Sequence, residues 1–361
     1  MTENSGCPEI DIHVDKGDYE KDVLQIIKII RPEWTTCCIT IKPMNQGNIN
    51  LMLLCHTGTE DETAIVVRMF GVALEDLIHR GNELAMAKCC GEIGLGPKVY
   101  CSFNNGFCSA YLPGKTFGWL EHPFKDIENA RIVAKTIARY HCRKTMEAAR
   151  AYNIGNGMDL AEAAEKILIG WPVKFSDPEL HELFYKDLPD KEELLEELHF
   201  IKYVIDNMGL PRVLNHGDLN PTNFVYNENT GVMTFVDYEM CGFRIQIEDL
   251  TKFLLNTSIA LTESDIEKHN HSPEFVRAFI RAYLEELRRL DGNEEIVNQE
   301  EVEKYRVFAE KFYLIMQFIH MMLLPQFVNT VGSDKISYRS FITCYKIRLK
   351  YYYENKNRVL R

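Results

Sequence analysis

Apolar positions recur at helical spacing over residues 18–31, and Arg31-Pro32 ends the pattern because a residue before proline avoids helical backbone angles. A first helix is predicted there. Residues 37–42, 48–56 and 63–70 are β-branched or apolar runs parted by polar turns, which predicts three strands of a small antiparallel meander. Helical spacing returns over 74–90. Two further strand-like runs, 98–103 and 107–112, flank Asn104-Asn105-Gly106, a hairpin signal. After Pro113-Gly114 the pattern turns helical over 126–150, 159–169, 190–208, 273–290, 299–324 and 335–353, and only 213–215, 223–227 and 232–237 read as extended. The order predicts an α+β protein with a strand-rich part over residues 1–112 and a larger helical part over 113–361. Residues 1–17 are expected to be disordered.

Composition narrows the function classes. A chain of 361 residues with 46% hydrophobic and 26% charged residues can bury an enzyme-sized core. Its formal net charge of -12 argues against nucleic-acid partners, which demand clustered Lys and Arg, and favours small ligands. The 11 cysteines form no CxxC pair and sit in apolar stretches, so zinc and a disulfide framework are disfavoured and reduced thiols of a cytoplasmic protein are expected. The polar, acidic N-terminus does not read as a signal peptide. The longest apolar run, 312–324, is interrupted by Gln317 and His320 and falls short of the roughly 20 residues that cross a bilayer. A buried helix is predicted there, with no transmembrane segment; a homodimer is compatible with the sequence.

Chemistry concentrates in NHGDLNPTNFVYNENTGVMTFVDYE, residues 215–239. A strand ending at Asn215 presents His216 to Asn223 as a loop, and the returning strand brings Asp237 to the same edge. Phosphoryl transfer needs a carboxylate to accept the proton of the attacking hydroxyl and an Asp and an Asn-type oxygen to hold magnesium. Asp218, Asn223 and Asp237 have that chemistry. Asp and Asn also populate turns for local reasons, but the Asp-x4-Asn spacing followed by an apolar run ending in Asp is more than a turn requires. His216 reads as a brace for the loop backbone rather than a proton carrier.

HGDLNPTNFVYN together with FVDYE resembles the H-x-D-x4-N and D-Y/F-E signatures of the choline/ethanolamine kinase family, a branch of the protein-kinase-like fold. IIRPEW, VVRMFG, Glu83, GPKVYCSFNNGFC and EDL agree, over residues 20 to the end, and IRPEW, YCSFNNG and DYE point to the ethanolamine kinase side. The resemblance implies two lobes, a small antiparallel-sheet lobe for nucleotide and a helical lobe for catalysis, with ATP and Mg2+ as cofactors. It implies that Asp218 is the base, that Asn223 and Asp237 bind the metal, and that Glu239 lies near metal or substrate. Arg68 would hold phosphates and pair with Glu83. Gly47 and Asn50 would lie in the loop over the phosphates, and residues 109–113, Ala110 and Leu112 among them, in the hinge that meets adenine.

The chain departs from the family where the substrate ammonium is recognised. Asn256 stands where a glutamate is expected, and Leu314 and Gln317 stand where tryptophans are expected. Choline, which cannot donate hydrogen bonds, depends on aromatic faces worth roughly 0.5–2 kcal/mol each, whereas a primary ammonium can use carboxylates and carbonyls. The sequence therefore favours an ATP-dependent kinase of a small amino alcohol, ethanolamine first, feeding phosphatidylethanolamine synthesis. The amine partner is left open among Asp218, Glu239, Asp249, Tyr313 and Tyr338. Choline kinase activity, or a kinase-like binding protein that has lost turnover, are the competing readings.

Overall fold

The computed structural model describes residues 7–34, 39–44, 50–58, 63–71, 80–118, 123–157, 159–175, 177–258, 270–331 and 335–361. Its first part is a six-stranded sheet with two helices. The elements are β1 (Glu9–Ile10), α1 (Glu20–Ile30), β2 (Thr40–Pro43), β3 (Leu51–His56), β4 (Ile65–Met69), α2 (Arg80–Ile93), β5 (Val99–Phe103) and β6 (Gly106–Ala110), in the sheet order β1-β5-β6-β4-β3-β2. Strands β2 to β6 pair antiparallel, as the meander and hairpin patterns predict, and β1 runs parallel to β5.

β4 shows how the sheet aims its chemistry. Side chains alternate across a strand, so Ile65, Val67 and Met69 enter one core with Val23, Ile26 and Ile27 of α1. Arg68 faces the other side, toward α2. The hairpin at Asn104-Asn105 forms as predicted, but Gly106 opens β6, where a Cβ would lie 2.1 Å from the Arg68 carbonyl oxygen. Close approach of β4 demands that glycine.

The remainder is mostly helical: β7 (Lys115–Thr116), α3 (Ile127–His141), α4 (Arg143–Ala151), α5 (Leu160–Ile169), α6 (Pro178–Tyr185), α7 (Lys191–Asp206), β8 (Arg212–Asn215), β9 (Phe224–Asn227), β10 (Val232–Phe235), β11 (Gly242–Ile245), α8 (Ile247–Ser258), α9 (Pro273–Leu290), α10 (Gln299–Val331) and α11 (Lys335–Val359). Asp126, Asp159, Asp177, Asp190 and Ser272 cap five of these helices with side-chain oxygens that accept first-turn N–H groups. One large apolar core joins these helices to α2 and to the strands around residue 224.

Four expectations are corrected. Residues 7–17 are ordered: β1 lies on β5, Val14 is buried, and the Asn105 side chain both donates to the Val14 carbonyl and accepts its N–H. The helix expected over 126–150 breaks at Cys142, whose backbone is extended. α8 escapes the pattern because it is buried on nearly every side, so no polar face marks a helical period. The apolar run near 312–324 belongs to a longer stretch, Gln299–Gln326, that is long and apolar enough to cross a membrane; 61% of its apolar window is buried inside the protein, and packing against α5, α8, α9 and α11 accounts for that apolarity.

Candidate active site

The loop after β8 is held from beneath by one carboxylate. Asp249 of α8 accepts the His216 N–H on Oδ2 at 2.7 Å and the Gly217 N–H on Oδ1 at 2.9 Å, while its own N–H donates to Asn215 Oδ1 at 3.1 Å. Burial alone would raise its pKa; hydrogen bonding to His141, with the neighbouring imidazoles of His141 and His216 and the Gly217 N–H, outweighs that and holds it low. Gly217 turns with φ 83°, and a Cβ there would meet the Met240 carbonyl oxygen at 2.2 Å. His216 Nε2 lies 3.0 Å from the Val236 carbonyl, which can only accept, so Nε2 carries the proton and Nδ1 accepts the Asp218 N–H at 3.3 Å. Both ring nitrogens are thus engaged in bracing the loop.

Asp218 emerges partly exposed from this support. Its Oδ2 accepts from Asn220 Nδ2 at 3.0 Å and from Asn223 Nδ2 at 2.9 Å. Asn223 Nδ2 also donates to the Asp218 carbonyl at 3.0 Å, which fixes the amide with Oδ1, a pure acceptor, turned away. The β9–β10 hairpin returns the chain to the same place: Phe235 pairs with Phe224, the Val236 N–H donates to the Asn223 carbonyl at 2.9 Å, and Asp237 follows in the left-handed region at φ 70°. Asp tolerates such angles better than most residues, and they concentrate at functional sites.

Across from this hairpin, Arg68 of β4 gathers the carboxylates. Its Nε donates to Glu83 Oε1 at 2.7 Å, a terminal nitrogen donates to Asp237 Oδ1 at 2.5 Å, and Glu239 Oε2 lies 3.6 Å away. Burial opposes its charge, but Asp237, Glu83 and Glu239 outweigh that and raise its pKa. Arg80 joins from α2, donating to Glu83 Oε2 at 2.6 Å and to the Gly71 carbonyl at 2.8 Å. Three carboxylates against two guanidiniums leave one net negative charge. Glu83, Asp237 and Glu239 offer oxygens within 4.8 Å of one another. An all-oxygen set suits a hard divalent cation such as magnesium.

Burial, followed by the charge of Asp237, pushes Glu239 up to about 7 from 4.5. Between those values the unfolded chain binds fewer protons than the folded one, so this group lowers stability as pH rises through the window. Glu239→Gln removes the titration. The variant is expected to gain on the wild type by on the order of 2–3 kcal/mol between pH 5 and pH 8, read from denaturant unfolding at both values; a difference independent of pH would refute the assignment.

The structure brings Asp218 to Asn223, and separately Asp237, Glu239 and Glu83 to Arg68; the Val236 N–H bond to the Asn223 carbonyl joins the two groups through the hairpin. Other expected site residues fare differently. Asp249, expected to meet substrate, is 1% exposed and has both oxygens taken by N–H groups of the loop after β8, which it supports. Asn50 donates to Glu239 Oε2 at 2.8 Å and accepts the Gly71 N–H at 3.0 Å; with both ends of the amide engaged it positions the cluster rather than meeting nucleotide. The Ala110 N–H donates to the Lys98 carbonyl at 2.8 Å and is not available to a base, whereas the Leu112 N–H has no hydrogen-bond partner among the described residues. Gly47 lies outside the described residues. Arg80 was missed, although Arg and Glu three apart on a helix signal a pair.

The substrate-side departures also have places. Asn256 Nδ2 donates to the Leu219 carbonyl at 3.0 Å, Leu314 is buried, and Gln317 Nε2 donates to the Tyr313 carbonyl at 2.9 Å. The Tyr313 hydroxyl donates to Asn270 Oδ1 at 2.8 Å, and Tyr338 is buried.

The family model for choline/ethanolamine kinase matches residues 41–340. Human ethanolamine kinase 1 is 27% identical over 344 residues, spanning 92% of this chain and 74% of that protein. In architecture the chain is similar to Plasmodium vivax ethanolamine kinase, with a TM-score of 0.69 at 15% identity over 94% of this chain and 90% of that one. Choline kinase from Cryptosporidium parvum gives 0.71 at 17% identity over 94% and 96%. The small sheet followed by a helical lobe is the two-lobed, protein-kinase-like arrangement these proteins share. On its sequence and its architecture alike, the chain belongs to the choline/ethanolamine kinase family, phosphotransferases with an alcohol acceptor.

Proposed function

We propose that the protein transfers the γ-phosphoryl group of ATP to the hydroxyl of a small amino alcohol, ethanolamine first, supplying the phosphorylated head group for phosphatidylethanolamine synthesis. The observation that carries this is the pair Asp218–Asn223, hydrogen-bonded at 2.9 Å on a loop pinned by Asp249, with Asp237 paired to Arg68 at the end of the hairpin that follows. Asp218 orients the acceptor hydroxyl and takes its proton as the phosphoryl group is attacked. Asn223 Oδ1 and Asp237 would hold magnesium, which when bound offsets the charge of the triphosphate. Arg68, held by Glu83, turns toward the phosphates, where a guanidinium can make two parallel contacts. The Leu112 N–H, without a hydrogen-bond partner among the described residues, is available to a purine edge. Proteins of this fold have been solved with GDP, AMP and AMP-PNP bound, which supports a nucleotide donor.

Ethanolamine is preferred to choline for two reasons. Relatives named ethanolamine kinases match over 92% of the chain, and with Leu314 and Gln317 buried among helices the aromatic faces a quaternary ammonium needs are fewer. Incubation with ATP and magnesium and a panel of ethanolamine, choline and methylated intermediates tests the reading through ADP release. Turnover with ethanolamine, abolished by EDTA and restored by excess magnesium, is expected. Bound nucleotide without turnover on any alcohol would make the protein a binding module instead.

A further inference from the structure

Asp249 takes two N–H groups of the catalytic loop, and the same side of α8 also reaches the loop's carbonyls. Lys252, three residues on, donates from Nζ to the Gly217 carbonyl. Asn256, a further turn on, donates from Nδ2 to the Leu219 carbonyl at 3.0 Å. Positions i, i+3 and i+7 share one side of a helix, so α8 grips the backbone before and after Asp218 with side chains spaced along a single stripe.

Lys252 is tied in turn to the segment after the hairpin. Its ammonium lies 3.1 Å from Glu248 Oε1, the oxygen that also accepts from Arg244 Nη1 at 2.6 Å. Arg244 Nη2 donates to the Met240 carbonyl, one residue past Glu239. All three charged side chains are buried. Among the described residues, two cations thus share one carboxylate, and the excess positive charge must be met by other oxygens, because a buried cation short of partners is strongly disfavoured. The Gly217 and Met240 carbonyls are the oxygens that meet it. One precedes Asp218 and the other follows Glu239. The two segments also touch directly, since a Cβ at Gly217 could not clear the Met240 carbonyl. The charge excess therefore draws the catalytic loop and the segment carrying Asp237 and Glu239 onto a single carboxylate.

We propose that Lys252 is a positioning residue for phosphoryl transfer: through Glu248 and Arg244 it registers the loop carrying Asp218 against the segment carrying Asp237 and Glu239. This rests on the kinase reading of the same site and adds to its machinery a residue that acts through the Gly217 carbonyl, not on the acceptor. A misplacement on the order of 1 Å at a base is enough to cost roughly 100-fold in rate. Removing Lys252 leaves Glu248 with Arg244 as its counter-ion, so no carboxylate is stranded and the fold should tolerate the change.

The test compares the wild type, Lys252→Met, Lys252→Arg, Asp218→Asn and the double variant Lys252→Met/Asp218→Asn, using steady-state kinetics with ATP and ethanolamine, thermal unfolding, and hydrogen exchange read by mass spectrometry. Lys252→Met is expected to unfold close to the wild-type Tm, to lower kcat at least tenfold and to leave KM for both substrates within a few-fold. Amide exchange should quicken in peptides covering residues 214–224 and 237–243 and stay unchanged in α5 and α7. Lys252→Arg keeps the charge and the donors and should recover most of kcat. In the Asp218→Asn background the same Lys252→Met change should cost less than twofold, because a residue that works by placing the carboxylate has nothing left to place. Equal losses in the two backgrounds, or unchanged exchange in both segments, would overturn the proposal. A sharply lowered Tm in Lys252→Met, with Lys252→Arg no more active, would make Lys252 a folding residue and overturn it as well. If the wild type phosphorylates no alcohol but exchange in both segments still quickens in Lys252→Met, the kinase reading fails and the registration of the two segments survives.

Discussion

Asp218→Asn is expected to fold like the wild type and to lose roughly 10²- to 10⁴-fold in kcat, the contribution of a positioned base. The substituted amide keeps one oxygen to accept from Asn220 and Asn223, so the two contacts that shape the loop persist. Its supports, Asp249 beneath and His216 beside, do not touch the altered carboxylate. The loss should therefore fall on kcat and leave nucleotide affinity within a few-fold. Stopped-flow or coupled measurement of ADP release, alongside thermal unfolding, separates the two. A variant retaining near-normal kcat would remove Asp218 from the chemistry.

Arg68→Met is expected to produce the largest loss of stability. It leaves Glu83, Asp237 and Glu239 close together with only Arg80 nearby, and removing one partner of a buried ion pair costs roughly 3–5 kcal/mol. The deficit should narrow toward pH 5, since Glu239 then takes up a proton in the folded state and repels its neighbours less. Urea unfolding of both proteins at pH 5 and pH 8 reads the difference. A deficit under about 1 kcal/mol, or one that grows on acidification, would mean that Arg68 does not hold the cluster together.

Which of these residues could be read from the chain alone follows from how local their signals are. Asp218 and Asn223 lie five apart in one turn, and Asp237 closes a hairpin of matched strands, so spacing brought all three into view. Arg68 came into view only through the family resemblance: period-two alternation places it opposite Val67, but that the opposite face carries the site depends on α2 lying there. Asp249 was misassigned because a buried carboxylate acquires its role from backbone groups more than 30 positions earlier, which no local pattern encodes. Among the elements, α6 and β11, each short, were not read from the pattern, but most antiparallel strands and capped helices carried clear periods. α8 lacked one because it is buried almost all round, and β1 and β7, two residues each, are too short to have one.

The brevity of β1 has its own consequence. A strand at the margin of a sheet exposes a row of unpaired N–H and C=O groups that invites another molecule to add a strand. Here the chain's own beginning blocks that margin: Pro8 and Ile12 carbonyls accept from Ser102 and Asn104 on either side of the two-residue contact. These few N-terminal residues thus guard the strand-rich half against intermolecular β-pairing and aggregation.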